Sequence, residues 1–211
     1  MSKPLPTTLR THVTALRALL VLTVLLGVLY PLLVTGVSQA AFGDKANGSP
    51  VKAGGREVGS SLIGQSFNLP KADPDDPKEE AKPDPKWFQP RPSAAGTGYD
   101  ASSSGAGNLG PNSEELRKAV EERRAAVAAF DGVDPAAVPA DALTASGSGL
   151  DPHISVAYAR EQVERVARSR DLPVETVAEL VDEHTEGRSL GFLGGEGVNV
   201  VLLNKALSEQ K

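Results

Sequence analysis

The stretch ALLVLTVLLGVLYPLLVTGV, residues 18–37, decides the fold of this chain. It contains no charged residue, and a helix of this length reaches roughly 30 Å, the thickness of one hydrocarbon core. The sequence that follows is polar and rich in glycine and proline. The stretch therefore predicts a single transmembrane helix over residues 18–40, with a water-soluble part behind it.

Three other interpretations of this stretch fit it less well. Residues 38–40 (SQA) would serve as a signal-peptide cleavage site, but the apolar run is longer than the roughly 7–15 residues of a signal-peptide core. A helix buried in a soluble core usually keeps a polar face, and this stretch has none. A lipoprotein anchor requires a cysteine, and the chain has no cysteine.

The basic residues around the stretch predict its orientation. Lys3, Arg10 and Arg17 precede it, and Arg17 directly adjoins it. Lys45, with Asp44 alongside, then Lys52 and the more distant Arg56 follow it, so the bias rests mostly on Arg17. Basic residues near a membrane helix are retained on the cytoplasmic side. Residues 1–17 are therefore expected in the cytoplasm, and residues 41–211 are expected outside it as one domain.

Small residues within the stretch predict contact with another membrane helix. Thr23 and Gly27 are four residues apart, a spacing that permits close approach of a second helix, and Gly36 lies farther along. Pro31 removes a backbone hydrogen bond and predicts a kink unless neighbours compensate. Glycine and proline are also simply frequent in membrane helices, so both interpretations stay open.

The composition limits the class of the soluble part. The chain has 211 residues, a net charge of −5 and no cysteine, which excludes a disulfide framework and thiolate chemistry. The mild acidity disfavours nucleic acid as a partner, because nucleic-acid binding requires basic patches. The residues beyond the helix suffice for one compact domain.

The first part of this domain contains few regular elements by sequence. Residues 42–55 are rich in turn formers and predict a connection leaving the membrane, and residues 58–67 (VGSSLIGQSF) predict strand, turn and strand. Residues 71–86 contain four prolines and mixed charges, which predicts a disordered surface loop. The following Trp87, Phe88 and Arg91 fit either core packing or a partner surface.

Four helices and a strand are predicted for the second part. Asn112 with Glu115 resembles a capping box and opens a helix that ends at Asp131-Gly132. A second helix is expected from Asp151-Pro152 to about residue 168. A third helix begins at residue 173 and ends with His184 hydrogen-bonded at its C-terminus. A buried strand over residues 197–203 and a terminal helix from residue 204 complete an α+β (α/β-like) domain.

The loop TASGSGLDPHIS, residues 144–155, is the strongest local pattern. A polar glycine-containing loop before a helix exposes backbone N–H groups and can hold an anion. It lacks the ending of a phosphate-binding loop, and an acidic cap would repel an anion, so a tight turn remains the simpler interpretation. The candidate residues for an anion or partner contact are Ser146, Gly147, Ser148, Gly149, Asp151 and His153.

Hydrolysis and metal binding are poorly supported by the same loop. The nucleophile-elbow spacing is absent around Ser148, and His153 follows a proline in what is expected to be a first helical turn. Zinc needs three convergent ligands. The chain has three histidines, of which His12 is expected across the membrane. We therefore expect neither a catalytic residue nor a metal site.

Taken together, these motifs resemble the C subunit of the Kdp potassium-transporting ATPase, the KdpC family. The resemblance spans nearly the whole chain, and its matching stretches are LYPLLVTG, GSSLIGQSF, WFQPRPSA, YDASSSGAGNLGPNSEEL, LTASGSGLDPHIS, QVERVARSRDL and LVDEHTEGRSLGFLGGEGVNVVLLN. Residues 71–86 depart from the family as an insertion. Glu196-Gly197 replace a proline and a basic residue that the family usually has there.

The resemblance implies a non-catalytic accessory subunit of an ATP-driven potassium uptake complex in the cell membrane. Its implied partners are a channel-like potassium-binding subunit, a P-type ATPase subunit and membrane lipid. The family's C subunit is described as a catalytic chaperone for ATP binding, which implies ATP as the ligand. The expected orientation separates this domain from cytoplasmic ATP, so the residues themselves favour a mechanical role.

Two alternatives to an accessory subunit remain on sequence grounds. The chain could be a membrane-anchored hydrolase outside the cytoplasm, or an anchored domain that binds a small solute. The missing nucleophile geometry argues against the first. Co-purification separates the three classes, because an accessory subunit brings large membrane partners out of detergent extracts.

Overall fold

The computed structural model describes residues 6–73, 76 and 81–210. Its internal contacts divide the chain into two compact units, with the boundary between Ser49 and Pro50. The first unit is helical, and the second contains helices and small sheets.

The first unit is built on one long helix. Helix α1 (Thr7–Val24) passes through a π-helical turn (Leu25–Leu29) into helix α2 (Tyr30–Ala41). Among the described residues, this 35-residue helix is the one long and apolar enough to cross a membrane, and it therefore is a candidate membrane span. The π-helical turn lies just before Pro31, whose ring would clash with the carbonyl group four residues earlier in a regular helix.

The connection after this helix is more regular than the sequence predicts. A short helix, α3 (Gly43–Ala46), follows directly, and strand β1 (Pro50–Ala53) begins soon after. The turn-rich connection predicted over residues 42–55 thus also contains a short helix and a strand. The glycines there form tight turns between short elements rather than a linker.

Strand β1 forms an antiparallel hairpin with β2 (Arg56–Ser60). Gly54 and Gly55 both have positive φ, which their turn requires. The predicted strand, turn and strand over residues 58–67 is wrong in position, because β2 pairs backward with β1. Beyond Ser60 the predicted second strand is reduced to an isolated pair with Ile63.

Helix α4 (Glu114–Asp131) begins one residue later than predicted. Its N-cap is Ser113, whose Oγ accepts a hydrogen bond from Leu116 N at 3.4 Å. The capping box predicted at Asn112 is therefore wrong, although the position of the helix is right. The predicted end is confirmed, because Gly132 follows Asp131 in the left-handed conformation.

The predicted helix from Asp151-Pro152 is wrong in its first turn. Residues of this region form a 3₁₀ turn (Ala140–Ala142) and strand β3 (His153–Ile154) before helix α5 (Val156–Glu161) begins. Helix α6 (Val163–Arg170) follows after a break at Gln162. His153 therefore lies on a strand and not in a helical turn.

The remaining elements complete a small sheet. Helix α7 (Val174–Glu183) leads to β4 (Thr185–Glu186), and β5 (Gly197–Asn199) runs into helix α8 (Val200–Ser208). The strand order is β3-β5-β4, with both pairings antiparallel. The predicted strand over residues 197–203 is too long, because the side-chain oxygen of Asn199 accepts from Val201 N and Leu202 N and starts the helix. His184 is confirmed as a C-terminal residue, since its Nδ1 lies 2.9 Å from Leu180 O.

The predicted α+β class is confirmed. Helices α5, α6, α7 and α8 pack with the three-stranded sheet around one apolar core. Its fully buried side chains include Phe88, Leu143, Val166, Val177, Val181, Val198, Val200, Leu203 and Leu207.

Part of the segment predicted to be disordered has a defined conformation. Residues 74, 75 and 77–80 lie outside the described residues. Past them, Leu69 N donates to Lys82 O at 2.8 Å, and Asp84 N donates to Phe67 O at 3.0 Å. The prediction of disorder over residues 71–86 is therefore wrong for residues 82–86. Backbone pairing with Phe67 and Leu69 orders Lys82 and Asp84, although neither of these side chains is apolar.

Candidate functional site

An open cleft of about 550 Å³ lies at the sheet of the second unit. The edge strands β3 and β4 supply His153 and Glu186, and β5 supplies Gly197 between them. Asp151 lines the cleft just before β3, and Arg91 reaches it from a distant loop. The sheet order therefore gathers residues that are far apart in sequence.

His153 lies between two carboxylates in this cleft. Its Nδ1 is 3.5 Å from Asp151 Oδ1, and its Nε2 is 3.5 Å from Glu186 Oε2. The ring passes over Gly197, where an added Cβ would lie 3.7 Å from His153 Cβ. A Cβ at Gly197 would therefore make ordinary contact with His153, and only a longer side chain would compete for the space of this crossing.

Both carboxylate oxygens of Asp151 already have partners within the protein. Its Oδ1 accepts from His153 N at 3.0 Å, and its Oδ2 lies 3.3 Å from Arg91 Nη1. The same guanidinium group donates to Thr144 O through Nε and Nη2. Burial and the charge of Asp151 raise the pKa of nearby Tyr99, and Arg91 opposes this effect.

The charge around the cleft is predominantly negative. Arg91 faces the carboxylates that line the cleft, which are Asp141, Asp151, Glu186 and Glu196. Carboxylates in such excess create a potential that favours cationic groups and disfavours a polyphosphate. Gly197 stands where the resemblance leads one to expect a basic residue, so the cleft lacks that positive charge, and Glu196 beside it adds a negative one.

The loop with Ser146, Gly147, Ser148 and Gly149 joins separate parts of the domain. Ser148 O accepts from Gly105 N and from the hydroxyl of Ser104, both at 2.9 Å. Gly149 O accepts from the hydroxyl of Ser93 at 2.6 Å. These hydrogen bonds use the loop carbonyls to hold a long surface loop against the domain.

Gly149 is required at its position for two reasons. Its φ is +68°, and an added Cβ would lie 2.6 Å from Gly105 O and 2.7 Å from Ala95 N. Gly147, two residues earlier, has no heavy atom within 4 Å of an added Cβ. The two glycines of the motif therefore differ, and only the second permits a close backbone approach.

The loop does not lead directly into a helix. The helix that follows, α5, is capped by Ser155, whose Oγ accepts from Tyr158 N at 3.0 Å. Asp141 accepts from Ser155 N at 2.6 Å and from Ser155 Oγ at 2.8 Å. A carboxylate of the protein itself thus occupies the place beside this helix start where an external anion would bind.

The serines of the loop are not arranged with His153 as nucleophile and base. Ser146 Oγ and Ser148 Oγ lie 3.3 Å apart, and Ser148 Oγ also accepts from Leu150 N at 3.1 Å. The polar neighbours of His153 are carboxylates instead. In the part of the chain that the structure describes, no group of three His, Asp or Glu side chains is placed to hold a metal ion.

The structure gives different environments to Trp87, Phe88 and Arg91, for which the sequence left core packing and a partner surface open. Phe88 is fully buried, so it contributes to the core and cannot serve as partner surface. The ring of Trp87 is half-buried between Phe67, at a centroid distance of 6.0 Å, and the guanidinium group of Arg170, at 4.3 Å. Arg91 keeps 23% of its side chain exposed at the cleft.

The candidate packing residues of the long helix are exposed within the first unit. An added Cβ on Gly27 would meet only Thr23 Cγ2, at 3.8 Å, and one on Gly36 would meet nothing within 4 Å. Gly27 lies in the π-helical turn, and Pro31 lies in the first turn of α2. These positions are therefore open to another helix.

A second surface feature lies on the loop between β4 and β5. Leu190, Phe192 and Leu193, here called the apolar tip, are 83%, 69% and 50% exposed. The loop is closed by a bridge between Ser189 and Leu193. Exposed apolar side chains grouped on one short loop are typical of a protein or membrane contact.

Comparison with known proteins decides the family. The family model described as "K+-transporting ATPase, c chain" (KdpC) matches residues 12–209. The chain belongs to the KdpC family. A KdpC subunit from Kineococcus radiotolerans is 55% identical over 98% of this chain and 97% of its own length. KdpC subunits from Streptomyces coelicolor and Mycobacterium tuberculosis are 50% and 48% identical, over 99% and 92% of this chain and 96% and 95% of their own lengths.

Several cleft residues of this KdpC-family chain were not among the sequence candidates. Asp141, Glu186 and Glu196 are scattered acidic residues, and only the sheet pairing and the cap of α5 bring them together. The apolar tip had a signal, because the sequence SLGFLGG places large apolar residues among glycines. Such a run predicts a turn with exposed apolar side chains as well as it predicts a strand.

Proposed function

We propose that this chain is a non-catalytic accessory subunit of an ATP-driven potassium uptake complex. Its proposed partners are a channel-like potassium-binding subunit and a P-type ATPase subunit. The match of the KdpC model to residues 12–209 is the observation that carries the proposal. The cleft supports the non-catalytic part of this proposal. The loop hydroxyls contact each other and His153 contacts carboxylates, so they do not form a pair of nucleophile and base.

The proposed location is the cell membrane, with a single span. In the proposed orientation, Arg10 and Arg17 of the long helix remain at the cytoplasmic end, and the second unit lies outside the cytoplasm. A protease-protection assay on sealed vesicles tests this orientation. Digestion of the second unit by protease added from the outside of right-side-out vesicles is expected, and protection of that unit would contradict the orientation.

The proposed role of the second unit is mechanical. The apolar tip would bury its three side chains against the channel-like subunit, while the long helix packs beside that subunit in the membrane. Burial of large apolar side chains releases about 1.5–3 kcal/mol for each one. Such an anchor fits an accessory subunit that stabilises an assembly.

Photocrosslinking from the apolar tip tests this role in the purified complex. A photoreactive residue in place of Phe192 is expected to crosslink to the channel-like subunit. The same residue in place of Val174, which is 44% exposed at the start of α7, serves as the control. Crosslinks only to lipid or to the ATPase subunit would contradict the proposed docking, and loss of the partners from the wild-type complex would contradict the accessory role itself.

We further propose that any chaperone effect on ATP binding acts through subunit contacts and not through a nucleotide site on this chain. The acidic lining of the cleft and the use of Asp141 beside the start of α5 support this. Equilibrium titration of the full chain with ATP is expected to give no binding. Saturable binding that is lost on replacing Arg91 by alanine would establish the direct nucleotide model instead.

A further inference from the structure

A buried ionic cluster lies away from the cleft, between helices α4, α5 and α6. Asp131 and Arg165 have side-chain exposures of 1% and 4% and form an ion pair through Asp131 Oδ1 and Arg165 Nε at 2.5 Å. The guanidinium group also stacks over the ring of Phe130, 4.4 Å from its centroid. Glu161, the last residue of α5, completes the cluster.

Two oxygen atoms of this cluster lack a hydrogen-bond donor. Asp131 Oδ2 and Glu161 Oε1 are both buried and have no partner among the described residues. The two carboxyl groups themselves lie within hydrogen-bonding reach of each other. Two carboxylates cannot donate to one another, so a hydrogen bond between them requires one bound proton.

Arg165 connects this pair to a distant segment of the chain. Its Nη1 donates to Pro85 O at 2.7 Å and to Trp87 O at 2.9 Å, and its Nη2 donates to Gln162 Oε1 at 2.6 Å. The single positive charge of Arg165 therefore faces Asp131 and also fastens the backbone that carries Trp87. A second negative charge beside it would compete for the same guanidinium group.

We propose that Glu161 and Asp131 share one proton and that this proton keeps Arg165 bound to the backbone at Pro85 and Trp87. Loss of the proton leaves a second carboxylate charge beside Asp131, whose own carboxylate is paired with the guanidinium group. The guanidinium group then turns toward the carboxylates, and its hydrogen bonds to the two carbonyl groups weaken. The pair acts as a proton-dependent clamp on this segment.

The charges around the pair place the transition near neutral pH. Burial, together with Asp131 and Asp141, raises the pKa of Glu161 to about 7. Burial also raises the pKa of Asp131, and Arg165 opposes this. Tyr158 of α5 faces the same cluster, and burial and the nearby carboxylates raise its pKa, so it stays neutral throughout.

The sign of the effect on stability follows from linkage. The folded chain binds the proton of Glu161 more tightly than the unfolded chain, whose glutamate has the ordinary pKa of 4.5. Folding therefore takes up a proton between these two values, and this contribution to stability is lost as pH rises through about 7.

Fluorescence tests the clamp directly, because Trp87 is the one tryptophan of the chain. In the full chain in detergent, the emission of Trp87 is expected to shift to longer wavelength, reversibly, as pH rises through about 7. Glu161→Gln keeps a donor for Asp131 but cannot ionise, so the shift is expected to disappear. Glu164→Gln, an exposed position on α6, is the matched control and is expected to keep it.

The same transition in Glu161→Gln and wild type, or no transition in wild type, would overturn the proposal. Infrared spectroscopy of the wild-type chain covers the case in which Glu161→Gln fails to fold. A protonated-carboxyl band that disappears between pH 6 and 8 in parallel with the Trp87 shift supports a shared proton. Absence of that band at pH 6 contradicts it.

Discussion

Asn204 and Phe88, 116 residues apart, are paired as two strand residues would be. Phe88 N donates to Asn204 Oδ1 at 2.9 Å, and Asn204 Nδ2 donates to Phe88 O at 2.9 Å. Gln162 pairs with the backbone of Gln89 in the same way. Gln89 N donates to Gln162 Oε1 at 2.6 Å, and Gln162 Nε2 donates to Gln89 O at 3.1 Å. Two side-chain amides thus satisfy the buried backbone of Phe88 and Gln89, which no strand of the described residues pairs.

Replacing Asn204 by leucine is expected to destabilise the second unit by about 2–5 kcal/mol. The change leaves the buried N–H and C=O groups of Phe88 without partners, and each unsatisfied group costs about 1–3 kcal/mol. Denaturant unfolding of the full chain, followed by Trp87 emission, measures the loss. Lys205→Ala, at the next position of α8, is the control, and equal midpoints for the two variants would contradict the amide pairing.

The two glycines of the loop near the cleft are expected to differ in their tolerance of alanine. Gly149→Ala forces a side chain into a left-handed conformation and against two backbone groups, which together cost about 2–4 kcal/mol. Gly147→Ala, with open space at its Cβ, is expected to stay within about 0.5 kcal/mol of wild type. Thermal unfolding of both variants compares them, and a destabilised Gly147→Ala would show that the loop has a different conformation.

Removing one partner of the buried ion pair is expected to be costly. Arg165→Met leaves Asp131 buried without a positive charge, and such a loss typically costs about 3–5 kcal/mol. The exposed Arg168→Met is the control. The double variant Arg165→Met with Asp131→Leu is expected to recover part of the stability, because neither member of the ion pair is then left buried without its partner. Failure of the double variant to unfold later than Arg165→Met would argue against the charge as the cause.

Gly27→Leu is expected to weaken assembly with the membrane partners. The position is open within the first unit, so a leucine there costs the isolated chain little but blocks close approach of a second helix. Val28→Leu is the control. This exposed neighbour of Gly27 points to a different side of the helix, so the variant is expected to preserve assembly. Recovery of the partners by affinity purification measures both, and equal recovery would remove Gly27 from the interface.

Residues that end a helix through contacts within one turn of the chain could be predicted from the sequence. Gly132 ends α4 because a left-handed residue satisfies the last carbonyl groups, and His184 binds the carbonyl group one turn back. Caps were harder to assign when neighbours compete. Ser113, and not Asn112, is the N-cap of α4, because the helix starts where the Ser113 hydroxyl accepts a hydrogen bond from Leu116 N.

The cleft could not be predicted, since its residues are joined only by pairing of short strands. His153 was assigned to a helix because Asp-Pro commonly opens one, yet its backbone pairs with Asn199. A strand of two residues carries no periodicity that a sequence pattern can reveal. Long-range pairing decides such elements.

By itself, the sequence determined the apolar helix, the α+β character of the second unit and the family, because hydrophobic length, periodicity and specific motifs are local properties. Only the tertiary structure decided which carboxylates meet. The acidic cleft and the pair formed by Asp131 and Glu161 depend on helices and strands that pack against each other from distant parts of the chain. Burial and neighbouring charges, which the fold alone supplies, give these groups their chemistry.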